Sequence, residues 1–162
     1  MMRLELARLA VCVALLGAAV LVCLACEAAW RDDAVLGVEF EWPVGSTRHY
    51  REAARAICSA AELADDPRSI NGASVVVLET LDDVRGSCLQ GAVACWHPDY
   101  DDPDGAGTIY VGPAGDGEPF ADEALQHELG HLIRHREHGD SDGEHADHAW
   151  WARYDAEILV CQ

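Results

Sequence analysis

The stretch Pro119-Phe-Ala-Asp-Glu-Ala-Leu-Gln-His127-Glu128-Leu129-Gly130-His131-Leu-Ile-Arg-His-Arg-Glu-His138-Gly139 decides the reading of this chain. Proline at its start and glycine just past its end bracket a helix over 119–138. Residues four apart on a helix lie one turn above each other, so His127 and His131 project from one face with Glu128 beside them. That is the H-E-x-x-H spacing, which lets one helix offer two imidazoles to a single ion. Ala124, Leu125, Leu129, Leu132 and Ile133 surround the motif with uncharged side chains that bury the helix in a core.

Two imidazoles do not complete a catalytic zinc site, which usually takes three protein ligands and leaves a fourth position for water. His135 and His138 continue the stripe, but distance excludes them. Eight residues separate His127 from His135, about 12 Å along a helix axis, whereas a zinc–nitrogen bond is about 2.1 Å. The third ligand must come from a segment that folds back after Gly139. His145 is the preferred candidate, because 139–145 is a tight reversal that returns an imidazole near the start of the next helix. His148, one turn on, is the reserve, and Asp142, Glu144, Asp147, Asp155 and Glu157 are carboxylate alternatives. The expected cofactor is one catalytic Zn2+ held by His127, His131 and His145.

With these residues the chain resembles the zincin metallopeptidases. The motif carries over to His127 and His131 as zinc ligands and to Glu128 as general base on a zinc-bound water. Two departures separate it from the well-defined branches. The longer metzincin pattern needs Gly at 134 and His at 137, where Arg134 and Glu137 stand; the gluzincin Glu is met only loosely by Glu157. The resemblance implies zinc-dependent hydrolysis of peptide bonds, with a peptide or protein as substrate. It also implies a single small α+β domain: a twisted, mostly β sheet whose edge strand packs on the active-site helix, followed by a C-terminal helix. The expected edge strand is Thr108–Val111, a place for an extended peptide to add as a further strand. Tyr154, His148 and Tyr110 are the candidate donors to a tetrahedral oxyanion. The alternative reading keeps the metal and drops the chemistry, as a non-catalytic metal-binding lipoprotein of the cell envelope. It rests on the six of eight histidines that fall between His127 and His148.

The other elements follow from periodicity. Residues 34–42 alternate like a half-buried strand, and 46–64 place Tyr50, Ala53, Ala54, Ile57 and Ala61 at helical spacing. The run Val75-Val-Val-Leu78 within 73–80 reads as a central strand buried on both sides. Residues 144–160 read as the last helix, with Trp150, Trp151 and Tyr154 on its apolar face. The acidic turn Asp99–Gly105 lacks EF-hand spacing and reads as a solvated turn.

The chain carries 11 basic residues, all arginine, against 29 acidic ones, for a net charge of −18 over 162 residues. Such a chain has no basic stripe for phosphates, which argues against a nucleic-acid partner, and none for anionic lipid. Residues 1–25 read as an export signal: Arg3 and Arg8 precede the apolar run Leu9 to Ala25. Leu24-Ala25-Cys26 resembles a bacterial lipobox, which makes Cys26 the expected lipidation site. A plain cleaved signal and a retained anchor are the alternatives, the run being at the lower limit for spanning a bilayer. Membrane association is thus expected only through that lipid or anchor, and the protein is expected outside the cytoplasm, in the cell envelope or secreted. Residues 26–33 form a short tether and 34–162 the domain. Of seven cysteines, four lie past Cys26, and in an exported chain they pair. The expected bonds are Cys88 with Cys95 and Cys58 with Cys161.

Overall fold

The computed structural model describes residues 30–89, 91–99, 101, 105–114 and 120–156. The signal, Cys26 and Cys161 lie outside them. Five strands form one mixed sheet: β1 (Trp30–Val35), β2 (Val38–Pro43), β3 (Ser74–Val77), β4 (Ala94–His97) and β5 (Thr108–Val111), in the spatial order β1-β2-β3-β5-β4. The helices are α1 (Tyr50–Leu63), α2 (Leu81–Ser87), α3 (Asp122–His138) and α4 (His148–Ala156), with a 3-10 turn at Pro67–Ile70. The domain is α+β. No helix among the described residues is long and apolar enough to cross a membrane.

The strand expected over 34–42 is a hairpin. Leu36 and Gly37 both take positive φ, 50° and 85°, the geometry of a two-residue turn whose twist matches that of the flanking strands. β1 therefore doubles back antiparallel on β2, pairing Val35 with Val38 and Trp30 with Pro43. The sheet begins at Trp30, inside the stretch 26–33 expected to be a tether, so the domain boundary moves toward the N-terminus. Hydrophobic alternation continued through the turn and concealed it.

β2, β3 and β5 run parallel, and β4 returns antiparallel along β5. The edge at this end of the sheet is therefore β4, and Thr108–Val111, expected at the edge, is paired on both sides. β3 is central as expected but covered on one face only. Val75 and Val77 are buried, while Ser74 and Val76 are half-buried. The buried row Phe40, Val75 and Ile109 runs across the inner face. Glu41, Val76 and Tyr110 share the opposite, open face.

α1 and α3 cover the inner face. α1 presents Ala53, Ala56, Ile57 and Ala60, all buried, and the small side chains let α3 approach closely. α3 answers with Leu125, Leu129, Leu132 and Ile133, each fully buried. Its ends are tied by polar contacts. Arg55 of α1 pairs with Asp122 in the first turn. In the last turn, the Glu137 carboxylate accepts from the Asp65 and Asp66 N–H groups and the Ser69 hydroxyl, while Arg136 donates to the carbonyls of Ser69 and Asn71. The helix stops where expected, at Gly139 with φ 75°.

α2 was not anticipated, although Thr80-Leu-Asp-Asp83 announces it: the Thr80 hydroxyl caps the Asp83 N–H at 3.2 Å. The Cys88–Cys95 disulfide is formed and fastens the end of α2 to β4. Cys58 is also disulfide-bonded.

Gly130, inside the motif, is required by packing. A β-carbon there would stand 3.0–3.2 Å from the rings of Tyr154 and Trp151 of α4. By contrast, a β-carbon at Gly86 in α2 meets nothing within 4 Å. Gly130→Ala is expected to cost about 1–3 kcal/mol through overpacking, and Gly86→Ala to be neutral or to stabilise by up to about 1 kcal/mol. Urea midpoints of both variants check this; equal midpoints would show that the α3–α4 contact has room to spare.

Candidate metal centre

The ring nitrogens of His127, His131 and His145 lie within 4.8 Å of one another, and among the described residues no other histidine joins them. Ring centroids are 5.1 Å apart for His127–His131, 4.8 Å for His127–His145 and 5.1 Å for His131–His145. Two come from one helical face of α3, as the spacing required. The third comes from the reversal after Gly139. His131 and His145 bring their Nε2 atoms to 3.3 Å. Tetrahedral zinc with nitrogens at about 2.1 Å separates its ligands by about 3.4 Å, so these two imidazoles already stand at the required spacing.

The tautomer of His131 follows from its neighbour. Its Nδ1–H donates to the Ser141 carbonyl at 2.8 Å, which leaves the Nε2 lone pair directed at the other imidazoles. Burial holds the imidazole pKa down at about 4, against the Ser141 contact, which raises it. A neutral imidazole is the ligand form. The donor set, three imidazoles half-buried beside a carboxylate, suits zinc.

Glu128 lies beside this cluster and is held from the sheet. Its Oε2 accepts the Trp96 N–H of β4 at 2.9 Å. Burial pushes the carboxyl up to about 7, although that hydrogen bond pulls it down. A carboxyl with that pKa is poised to exchange protons near neutral pH.

His145 owes its position to Asp142. Both have left-handed backbones, φ 50° for Asp142 and 53° for His145, which non-glycine residues seldom adopt. The buried Asp142 carboxylate accepts from the Ala146 N–H at 2.7 Å, the Asp147 N–H at 2.9 Å and the Trp151 indole at 2.8 Å. Burial works to raise its pKa, but these donors and the Arg134 charge outweigh it, and the carboxyl titrates below the usual aspartate range. Asp142, a carboxylate alternative for the metal, is instead the scaffold that carries the third imidazole.

Trp151 closes the back of the site. Its ring lies 4.9, 4.7 and 4.2 Å from those of His127, His131 and His145. Asp147, another alternative ligand, pairs with Arg134 at 3.0 Å. Arg134, where the longer metzincin pattern has Gly, thus fastens α3 to the start of α4, and its guanidinium lies over Trp150.

His135 and His138 are apart from the cluster, as distance demanded; His135 packs on Trp96 at 5.3 Å. His148 opens α4 and is exposed. Two of the oxyanion candidates are displaced. The buried Tyr154 hydroxyl donates to the Gln126 carbonyl at 2.6 Å, and Tyr110 lies on the open face of the sheet against His97. Missed from the sequence were Trp96, whose contribution is a backbone N–H, and Ser141, whose contribution is a carbonyl. Neither role depends on side-chain type, so neither leaves a signal.

No protein-family model, curated protein or solved structure matches this chain.

Asp142→Asn keeps the shape but places an amide against three N–H donors. It is expected to weaken zinc binding about 10–100-fold, read by competition with a chromophoric chelator. Affinity equal to the parent would show that the reversal holds His145 without the carboxylate.

Proposed function

We propose that this protein is a zinc-dependent peptidase of zincin type, hydrolysing peptide bonds in the cell envelope or outside the cell. The observation that carries the reading is the convergence of His127, His131 and His145 on one point, with the half-buried Glu128 next to His127 on the same helix. The antiparallel edge strand β4, pinned to Glu128 through the Trp96 N–H, adds support. The apolar N-terminal run ending at Cys26 and the Cys88–Cys95 disulfide support the exported location, with Cys26 as the lipid-bearing residue.

His127, His131 and His145 would hold the ion. Zinc supplies Lewis acidity toward a water molecule and a carbonyl oxygen. The chain's own groups do the rest. Glu128 takes a proton from the attacking water and returns it to the leaving amine, a role suited to a carboxyl with pKa near 7. Ser141 keeps His131 in the ligating tautomer. The edge of β4 offers backbone groups to an extended peptide, in place of the strand 108–111. Trp151 excludes water from behind the imidazoles.

Glu128→Gln is expected to retain one zinc per chain and to lose hydrolysis by about 10²–10⁴-fold or more. His145→Ala is expected to lower zinc affinity, whereas His148→Ala leaves it intact. Metal content by mass spectrometry and turnover of a quenched peptide library check these. An active Glu128→Gln enzyme would end the catalytic role, and several weakly held ions per chain would favour a metal store.

A further inference from the structure

Trp151, in the first turn of α4, stands against all three imidazoles. The ring centroids of Trp151, His127, His131 and His145 are separated pairwise by 4.2 to 5.1 Å, so the four rings occupy the corners of a near-regular tetrahedron. The indole therefore fills one side of the triangle of imidazoles. It is 3 % exposed, and its six-membered ring packs on α3 at Gly130, where a β-carbon would stand 3.2 Å away. Its nearest imidazole is that of His145, at 4.2 Å. The other end of the same side chain reaches the reversal: Nε1–H donates to the buried Asp142 carboxylate at 2.8 Å. Asp142 is itself bonded to the segment that bears His145. Its carbonyl accepts the His145 N–H at 2.8 Å, and its carboxylate accepts the next two N–H groups along the chain.

We propose that Trp151 is the positioning residue of the metal centre, fixing His145 against the pair on α3 through both its ring and its N–H. This rests on the metal centre of the peptidase reading and adds what holds the third ligand. His127 and His131 need no such device, because helical spacing alone puts them on one face. His145 does need one. It sits on a short reversal, with a φ of 53° that non-glycine residues seldom hold. Even with that backbone fixed, the imidazole is free to turn about its side-chain torsions unless a neighbour selects one rotamer. The indole face supplies that neighbour, and the indole N–H holds the reversal from which the imidazole projects. The π-face adds an electrostatic part. An imidazole bound to a divalent ion carries some of the positive charge, and an aromatic face attracts positive charge. An aliphatic side chain at 151 supplies contact and lacks both the π-face and the donor.

The test compares the parent with Trp151→Leu, Trp151→Phe and Tyr154→Phe. Zinc affinity is read by competition with a chromophoric chelator, coordination geometry by the visible absorption of the Co2+-loaded protein, and folding by urea midpoints. Trp151→Leu is expected to bind zinc about 10–100-fold more weakly and to lose the intense visible bands of four-coordinate cobalt. Trp151→Phe, which keeps a ring and no donor, is expected at the lower end of that range. Tyr154→Phe removes the hydrogen bond from α4 to the Gln126 carbonyl, so its midpoint falls while zinc affinity and cobalt spectrum stay those of the parent. That pattern supports the proposal. Parental affinity and spectrum in either Trp151 variant overturns it, as does a Tyr154→Phe protein that loses as much affinity as Trp151→Leu, since the indole would then act only by docking α4. Should Trp151→Leu fail to fold, Trp151→Phe decides by the same two readouts. A parent that binds no zinc brings down the metal centre and this assignment together, whereas a parent that binds zinc and cleaves no peptide ends the peptidase reading and leaves the role of Trp151 standing.

Discussion

The buried seating of α3 is the constraint on which the rest depends. A helix that offers His127, Glu128 and His131 to a cleft needs its other face fully packed, because three polar side chains on a loosely held helix would not keep a common focus. Leu125, Leu129, Leu132 and Ile133 supply that face. The alanines of α1 set how close it sits, and Gly130 sets the approach of α4 from the other side. Arg55 at one end of α3 and Glu137 and Arg136 at the other keep it from sliding along its axis.

Around that helix, backbone groups do much of the positioning. The Trp96 N–H points out of the sheet to Glu128, the Ser141 carbonyl orients His131, and the N–H groups of Ala146 and Asp147 converge on Asp142. The result is a site in which side chains from one helix and one reversal are aimed by main-chain groups of β4 and of the reversal and its exit. Such an arrangement is tolerant of side-chain change at Trp96 or Ser141 as far as orientation is concerned, and intolerant of any change in where β4 lies.

The disulfide belongs to the same logic. Cys88–Cys95 fixes β4, a four-residue edge strand with one neighbour in the sheet, to the end of α2. Short edge strands hold few ladder hydrogen bonds, and a covalent tie beside Trp96 keeps the donor to Glu128 in register. The open face of the sheet is mixed, with Glu39, Glu41 and Thr108 beside Val76 and Tyr110.

Helical spacing is local, so the sequence by itself determined that His127, His131 and Glu128 share a face, that Gly139 ends the helix, and that neither His135 nor His138 reaches the same point. It also placed the third ligand after Gly139, preferring His145 but leaving His148 and five carboxylates open, and paired Cys88 with Cys95. Strand order is not local. Which strand forms the edge depended on β4 pairing outside β5, and the hairpin at Leu36-Gly37 was hidden because alternation of period two does not change when a chain doubles back. The part played by Asp142 was likewise decided by tertiary structure: only the left-handed backbone at 142 and 145 turns its carboxylate from a candidate ligand into the group that positions the segment bearing His145.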